Sequence, residues 1–287
     1  MSQHIKTLLV FITFLFFSCT TDPTPSIEEE FNIPVGVKEP LIFEYLIHDV
    51  EGIVFNTLYS LHERDKGQAN THIAFNVFSG RGTCANQTLD ADGNELVLDF
   101  SVGCIDDSER LRSGIIKINY TDPEDGIGNM MTIQLNQFKI NNLELDGNLS
   151  IENVSTVNSG DEKGYSISFS NLSLNVNTET SSFTGNRQIH YEKVDGNVFE
   201  TTELTYLTSS NFSFTLQNGN EYTVSTPTAL SHAFSCWQGY TYFPFSGKQI
   251  IEGNNSPTEI EYIGCDYTFD IKTADDEIWR FDLNAIL

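Results

Sequence analysis

Residues 132–141, TIQLNQFKIN, and residues 166–175, SISFSNLSLN, carry the reading of the fold. They lie 166 − 132 = 34 residues apart and place apolar side chains at the same offsets: Ile133, Leu135, Phe138 and Ile140 in the first, Ile167, Phe169, Leu172 and Leu174 in the second. A strand points alternate side chains to opposite faces, so 133 and 135 followed by 138 and 140 is a phase that has slipped by one residue. An extra residue near Asn136 and Gln137, and again near Ser170 and Asn171, restores it. The slip therefore predicts a β-bulge in each stretch and, with it, a bent sheet.

The same two-residue period extends through the chain from about Thr71, as in Ile116, Ile118 and Tyr120, with NG, DG and SG pairs between the strands. A second echo, SGIIKI, DGNLSI, TGNRQI and SGKQII, reads as a turn glycine followed by a strand. Its spacing is too irregular for a solenoid. The expectation is an all-β domain, an antiparallel meander forming a curved sheet, a sandwich or a half-open barrel.

One segment breaks the pattern. Leu41, Ile42, Tyr45, Leu46, Val50, Ile53, Val54, Leu58 and Leu61 recur at three and four residues, which predicts an amphipathic helix over about 40–63, with Pro40 in its first turn. Its wide apolar face needs a sheet to cover it. His48 and His62, fourteen residues apart, are too far separated to form a local ligand pair and read as surface or boundary residues.

Ahead of the helix, residues 19–40 hold four prolines and the acidic run Glu28-Glu29-Glu30, the composition of an extended tether. Residues 1–18 are built like a secretory signal, with Lys6 before an apolar run from Leu8 to Phe17. That run is about half of the roughly 20 residues a membrane-spanning helix needs. The chain thus divides into a signal (1–18), a tether (19–40) and one β-rich domain (41–287). Phe16-Phe17-Ser18-Cys19 resembles a bacterial lipobox, and the resemblance implies that Cys19 is acylated and becomes the new N-terminus. More than one acyl chain makes such an anchor stable, at about 0.8 kcal/mol per buried methylene.

Setting Cys19 aside leaves Cys84, Cys104, Cys236 and Cys265, an even set of the kind that forms disulfides outside the cytoplasm. Three pairings are possible. Their clustering favours Cys84 with Cys104 and Cys236 with Cys265. No C-x-x-C or histidine-rich spacing supports zinc.

Forty acidic against fifteen basic residues give a formal charge of −25, which repels phosphate backbones and argues against nucleic acid as a partner. The chemistry search turns up no nucleophile elbow, phosphate-cradling glycine loop or HExxH helix, so an enzyme is not expected, nor a cofactor. His72, His190 and His232 read as exposed strand residues. Asp90, Asp92 and Asn94 around Gly93 copy part of a calcium loop but lack its closing glutamate, and a β-turn accounts for them. In CWQGYTYFPFSG, Trp237, Tyr240 and Tyr242 are candidates for an aromatic ligand platform, while Phe243 and Phe245 would take the other face.

LDFSVGC (98–104), RLRSGIIKINY (110–120), MTIQLNQFKINNLELDGNLSIEN (131–153), SCWQGYTYFPFSGKQIIEG (235–253) and EIEYIGCDYTFDI (259–271) resemble, in this order, a family of uncharacterised Bacteroidetes lipoproteins. The resemblance covers about residues 95–283. Ser101-Val102 stands where that family has a glycine-rich turn, and Ile263 stands before Gly264 and Cys265. It implies a lipid-anchored outer-membrane protein and carries no activity with it. The reading that follows is a non-catalytic binding or structural module whose one defined partner is the membrane, through its N-terminal lipid. A carrier for a lipid or other apolar ligand and a surface glycan-binding protein are the alternatives.

Overall fold

The structure is a computed structural model; it describes residues 33–65, 82–90, 95–106, 110–120, 130–154, 163–191, 205–233, 243–253, 257–265, 268–273, 275 and 277–282. Within them one helix, α1 (Lys38–Asp65), precedes fourteen strands: β1 (Asn86–Leu89), β2 (Glu95–Asp99), β3 (Cys104–Ile105), β4 (Leu111–Tyr120), β5 (Met130–Ile140), β6 (Leu143–Asn153), β7 (Lys163–Val176), β8 (Glu179–Tyr191), β9 (Thr205–Thr215), β10 (Glu221–Ala233), β11 (Ser246–Glu252), β12 (Thr258–Ile263), β13 (Thr268–Lys272) and β14 (Ile278–Asp282). All strands belong to one antiparallel sheet whose spatial order follows the chain from β1 to β14, with β3 set aside as a short partner of β4. The first and last strands do not pair, so the sheet is curved but open, an all-β meander with one N-terminal helix.

The curvature has the cause that the phase slip predicts. Between β5 and β6 the register jumps from Leu135 to Phe138, and between β7 and β8 from Phe169 to Leu172. Gln137 and Asn171 sit in these bulges with φ of 51° and 54°, the left-handed region that a non-glycine residue adopts only at some cost. The slip keeps Phe138, Ile140, Leu172 and Leu174 on the buried face.

The four glycine echoes are not turns. Gly114, Gly147, Gly185 and Gly247 lie inside β4, β6, β8 and β11. At Gly114, with φ of 88°, a Cβ would stand 2.2 Å from the carbonyl oxygen of Gln137 on the neighbouring strand, so only glycine lets the bulge of β5 close against β4. These glycines mark where strands bend, and a strand that bends and a strand that begins look alike in one dimension.

Over residues 41–54, helix α1 is buried on every side rather than along one stripe. Leu41 to Phe43 and Tyr45 to Val54 are almost wholly covered, including His48, Asp49 and Glu51. A helix covered all round is an interior helix. Its contacts reach from β4, through Arg112, across β7, β8 and β9 to Gln249 of β11. The sheet is therefore curled about α1. Phe43 anchors the wrap: it stacks on Phe183 with centroids 4.2 Å apart and meets Phe169 and Phe212 at 5.1 and 5.3 Å.

Cys84 and Cys104 form a disulfide that ties the segment before β1 to β3. Cys265 is also disulfide-bonded, while Cys19 and Cys236 lie outside the described residues. The 20-residue separation of Cys84 and Cys104 sets the expected cost of losing the bridge. Replacing both by alanine is expected to lower unfolding free energy by about 3 kcal/mol in urea denaturation under oxidising conditions. Reduction of the wild type should reproduce at least that loss.

Candidate functional site

The chemistry-bearing residues gather where the sequence reading did not look, between α1 and the inner face of the sheet. Two clusters of buried charge lie along the helix. In the first, Arg112 of β4 is fully buried and its guanidinium donates to both carboxylate oxygens of Asp49, at 2.8 Å from Nη2 to Oδ1 and 3.3 Å from Nε to Oδ2. Arg112 Nη1 also donates to Asp106, whose carboxylate accepts the Gly82 backbone N–H at 3.0 Å. Arg110 adds a second cation 3.5 Å from Asp49 and lies over the ring of Tyr45. Among the described residues, two cations here face two carboxylates. It fastens the helix to the edge of the sheet that carries the Cys84–Cys104 bridge.

The second cluster is larger. Glu44, His48 and Glu51 stand at spacings of four and three on one face of α1 and meet β8 to β12. Arg187 of β8, only 2% exposed, pairs with Glu44 and places Nε 3.0 Å from Glu51 Oε1. Burial works against its charge, but the two glutamates outweigh it, so its pKa is raised. Ser210 Oγ and Gln249 Nε2 donate to Glu44 Oε1 at 2.7 and 3.0 Å, and the Tyr262 hydroxyl donates to Gln249 Oε1. Burial pushes the Tyr262 phenol well above its usual pKa, with Glu44 acting the same way.

His48 sits at the centre. Its Nε2 lies 2.5 Å from the Tyr206 hydroxyl, and its Nδ1 lies 2.9 Å from Glu51 Oε2 and 3.0 Å from Arg187 Nη2. A hydrogen on Nδ1 serves Glu51, with Tyr206 donating to Nε2, whereas a bare Nδ1 accepts from Arg187 and Nε2–H donates to Tyr206; one ring cannot satisfy both sets at once. His232 of β10 packs alongside, its ring 4.6 Å from that of His48 and parallel to Tyr206 at the same separation. Its Nε2 is 3.0 Å from Thr208 Oγ1, whereas its Nδ1 is buried with no hydrogen-bond partner among the described residues.

Both histidines correct the sequence reading. His48 is 4% exposed and His232 1%, so neither is a surface residue. Glu51 is a local partner of His48, three residues on, but Arg187 and Tyr206 come from strands 139 and 158 residues away and Thr208 from the strand beside His232, and no local spacing could announce these. His190 is exposed, as read; His72 and the side chain of His62 lie outside the described residues. The line from Glu51 through His48 to Tyr206 joins a carboxylate, an imidazole and a phenol, groups able to pass a proton. All three are covered by the fold, so this chemistry is internal, and its evident work is holding α1.

Trp237, Tyr240 and Tyr242 lie outside the described residues, as do Asp92, Gly93 and Asn94. Phe243 is buried against Tyr262 and Phe269, with ring centroids 4.9 and 5.9 Å away. The Asp90 carboxylate accepts the Glu95 backbone N–H at 2.9 Å, joining the end of β1 to the start of β2. Among the described residues no cluster of histidine, cysteine and carboxylate is arranged to hold a metal ion.

The opposite face of the sheet has a chemistry of its own. Cross-strand pairing sets Thr132, Ser150, Ser168, Asn186, Asn211 and Ser225 in one row across β5 to β10. Strands repeat at about 4.8 Å and same-face residues at about 6.8 Å, so these short side chains form part of a regular array of hydroxyls and amides. Between the strand ends, where Glu179 is exposed at the start of β8, the described outward positions of β7, β8 and β9 hold no Asp, Glu, Lys or Arg, in a chain with 40 acidic and 15 basic residues. Comparison with protein-family models, curated proteins and solved structures finds no match to this chain.

Proposed function

We propose that this chain is an outer-membrane lipoprotein, anchored through acylated Cys19, whose β domain is a non-catalytic binding module. The observation that supports this most directly is the division of chemistry between the two faces of the sheet. Among the described residues, Glu44, His48, Glu51, Arg187 and Tyr206 are buried or nearly so and engage one another. The outward face of β7 to β9 is rich in serine, threonine, asparagine and glutamine, with His190 and Leu207 among them and Glu179 exposed at the start of β8.

That outward face favours a neutral glycan as the partner. Hydroxyls and amides both donate and accept, as sugar hydroxyls do, and a surface without charge neither attracts nor repels an uncharged polymer. A carrier of apolar ligand draws less support, because α1 fills the inner face that such a ligand would use.

Metabolic labelling with an alkyne fatty acid tests the anchor: the wild type is expected to be labelled and membrane-bound, and Cys19→Ser unlabelled and released. The Cys19→Ser chain then serves for affinity electrophoresis through gels containing neutral polysaccharides. Retardation that is lost when Asn186→Lys and Asn211→Lys put charge into the array is the expected result. Retardation lost instead in Trp237→Ala would move the site to the aromatic stretch. No retardation on any polysaccharide would remove the glycan reading, and turnover in a broad hydrolase screen would remove the non-catalytic one.

A further inference from the structure

We infer that the attachment of α1 to the sheet is a proton-sensitive latch, in which uptake of a proton by His232 loosens the middle of the helix from the inner face. The geometry makes this position intolerant of a second positive charge. His232 is 1% exposed, and Thr208 at Nε2 is its one hydrogen-bonding neighbour among the described residues. In the neutral ring Nε2 shares one hydrogen bond with the Thr208 hydroxyl, and no described residue reaches Nδ1. In the protonated ring Nδ1 carries a hydrogen with nothing among them to accept it. Stacking on Tyr206 supplies a π face but no acceptor for that hydrogen.

The charged and titratable groups around the pair come from each element packed there. Helix α1 contributes Glu44, His48 and Glu51, β8 contributes Arg187, β9 Tyr206 and β12 Tyr262; Thr208, Ser210 and Gln249 are neutral. The two glutamates are already engaged by Arg187, Ser210, Gln249 and His48 and are not aimed at His232. What His232 meets instead is the second imidazole. Its pKa is held well below the ordinary histidine value by burial first, then by His48 and Arg187.

The sign follows from that depression. A histidine freed into water titrates near pH 6.5. Above that value neither the attached nor the released state binds the proton, and the latch is closed at full strength. Below it the released state takes up a proton that the attached state refuses, so release is favoured by up to tenfold per pH unit until the lower pKa is reached.

Hydrogen exchange of the full chain, corrected for the intrinsic pH dependence of exchange, tests this between pH 7.5 and 5.0. Protection of the amides of residues 41–54 is expected to be constant down to about pH 6.5 and then to fall by up to tenfold per pH unit, with β5 to β7 keeping theirs. In His232→Gln the fall should be absent. Constant protection of α1 down to pH 5.0, equal loss across helix and sheet, or an unchanged fall in His232→Gln would each overturn the latch. Should that variant fail to fold, the His232 pKa in the wild type, read by carbon-13 NMR of the ring, decides: a value well below 6.5 supports the latch and one at or above 6.5 overturns it.

Discussion

Arg187→Met is expected to destabilise the protein by about 3–5 kcal/mol, seen as a large fall in the urea midpoint, because it leaves Glu44 and Glu51 facing an interior without their cation. The magnitude reflects the charges left behind more than the pair that is lost. A second variant separates these contributions. Adding Glu44→Gln and Glu51→Gln to Arg187→Met removes the stranded charges while keeping groups that can hydrogen-bond to Ser210 and Gln249. It is expected to recover at least half of the loss. Equal stability of the single and triple variants would show that Arg187 contributes by packing its stem rather than by neutralising the helix.

Phe43→Ala is expected to cost about 3–5 kcal/mol, the range for deleting a buried phenylalanine. Phe43 is 1% exposed and touches one ring on each of β7, β8 and β9, so its removal opens a cavity at the centre of the wrap. Phe43→Leu fills most of that space and should cost about 1–1.5 kcal/mol. Thermal unfolding followed by near-ultraviolet circular dichroism would rank the three proteins. A fall for Phe43→Ala of under about 1 kcal/mol would mean that the sheet holds its curl without the helix.

Much of the architecture was legible because it is written in periodicity. The slip in Ile133, Leu135, Phe138 and Ile140 has one cheap physical solution, an extra residue, and the bulge at Gln137 is where that solution falls. The helix was legible for the same reason, extending two residues beyond its expected limits at each end. The polar layer was not, because its partners are joined by the curl of the sheet and not by spacing along the chain. A signal for it did exist. Arg112 and Arg187 stand in the buried phase of their strands, level with Ile116 and Ile118 and with Phe183 and Ile189. A cation in an apolar phase requires buried carboxylates, and Glu44, Asp49 and Glu51, set among the apolar residues of 41–54, are the complement. His232 shares its phase with Val224 and Leu230 and could have been placed inward by the same test.

The order of elements along the chain sets the order in which the fold can be completed. Successive strands are spatial neighbours, so each new strand finds its partner in the segment made just before it, and the sheet can lengthen by local steps. Helix α1 obeys the opposite rule. It is synthesised ahead of every strand, yet Glu44 waits 143 residues for Arg187 and 205 for Gln249. Helix α1 is therefore made before every strand that encloses it, and its burial must wait for them. Until then its apolar side chains are the kind of surface that makes incomplete chains prone to aggregate.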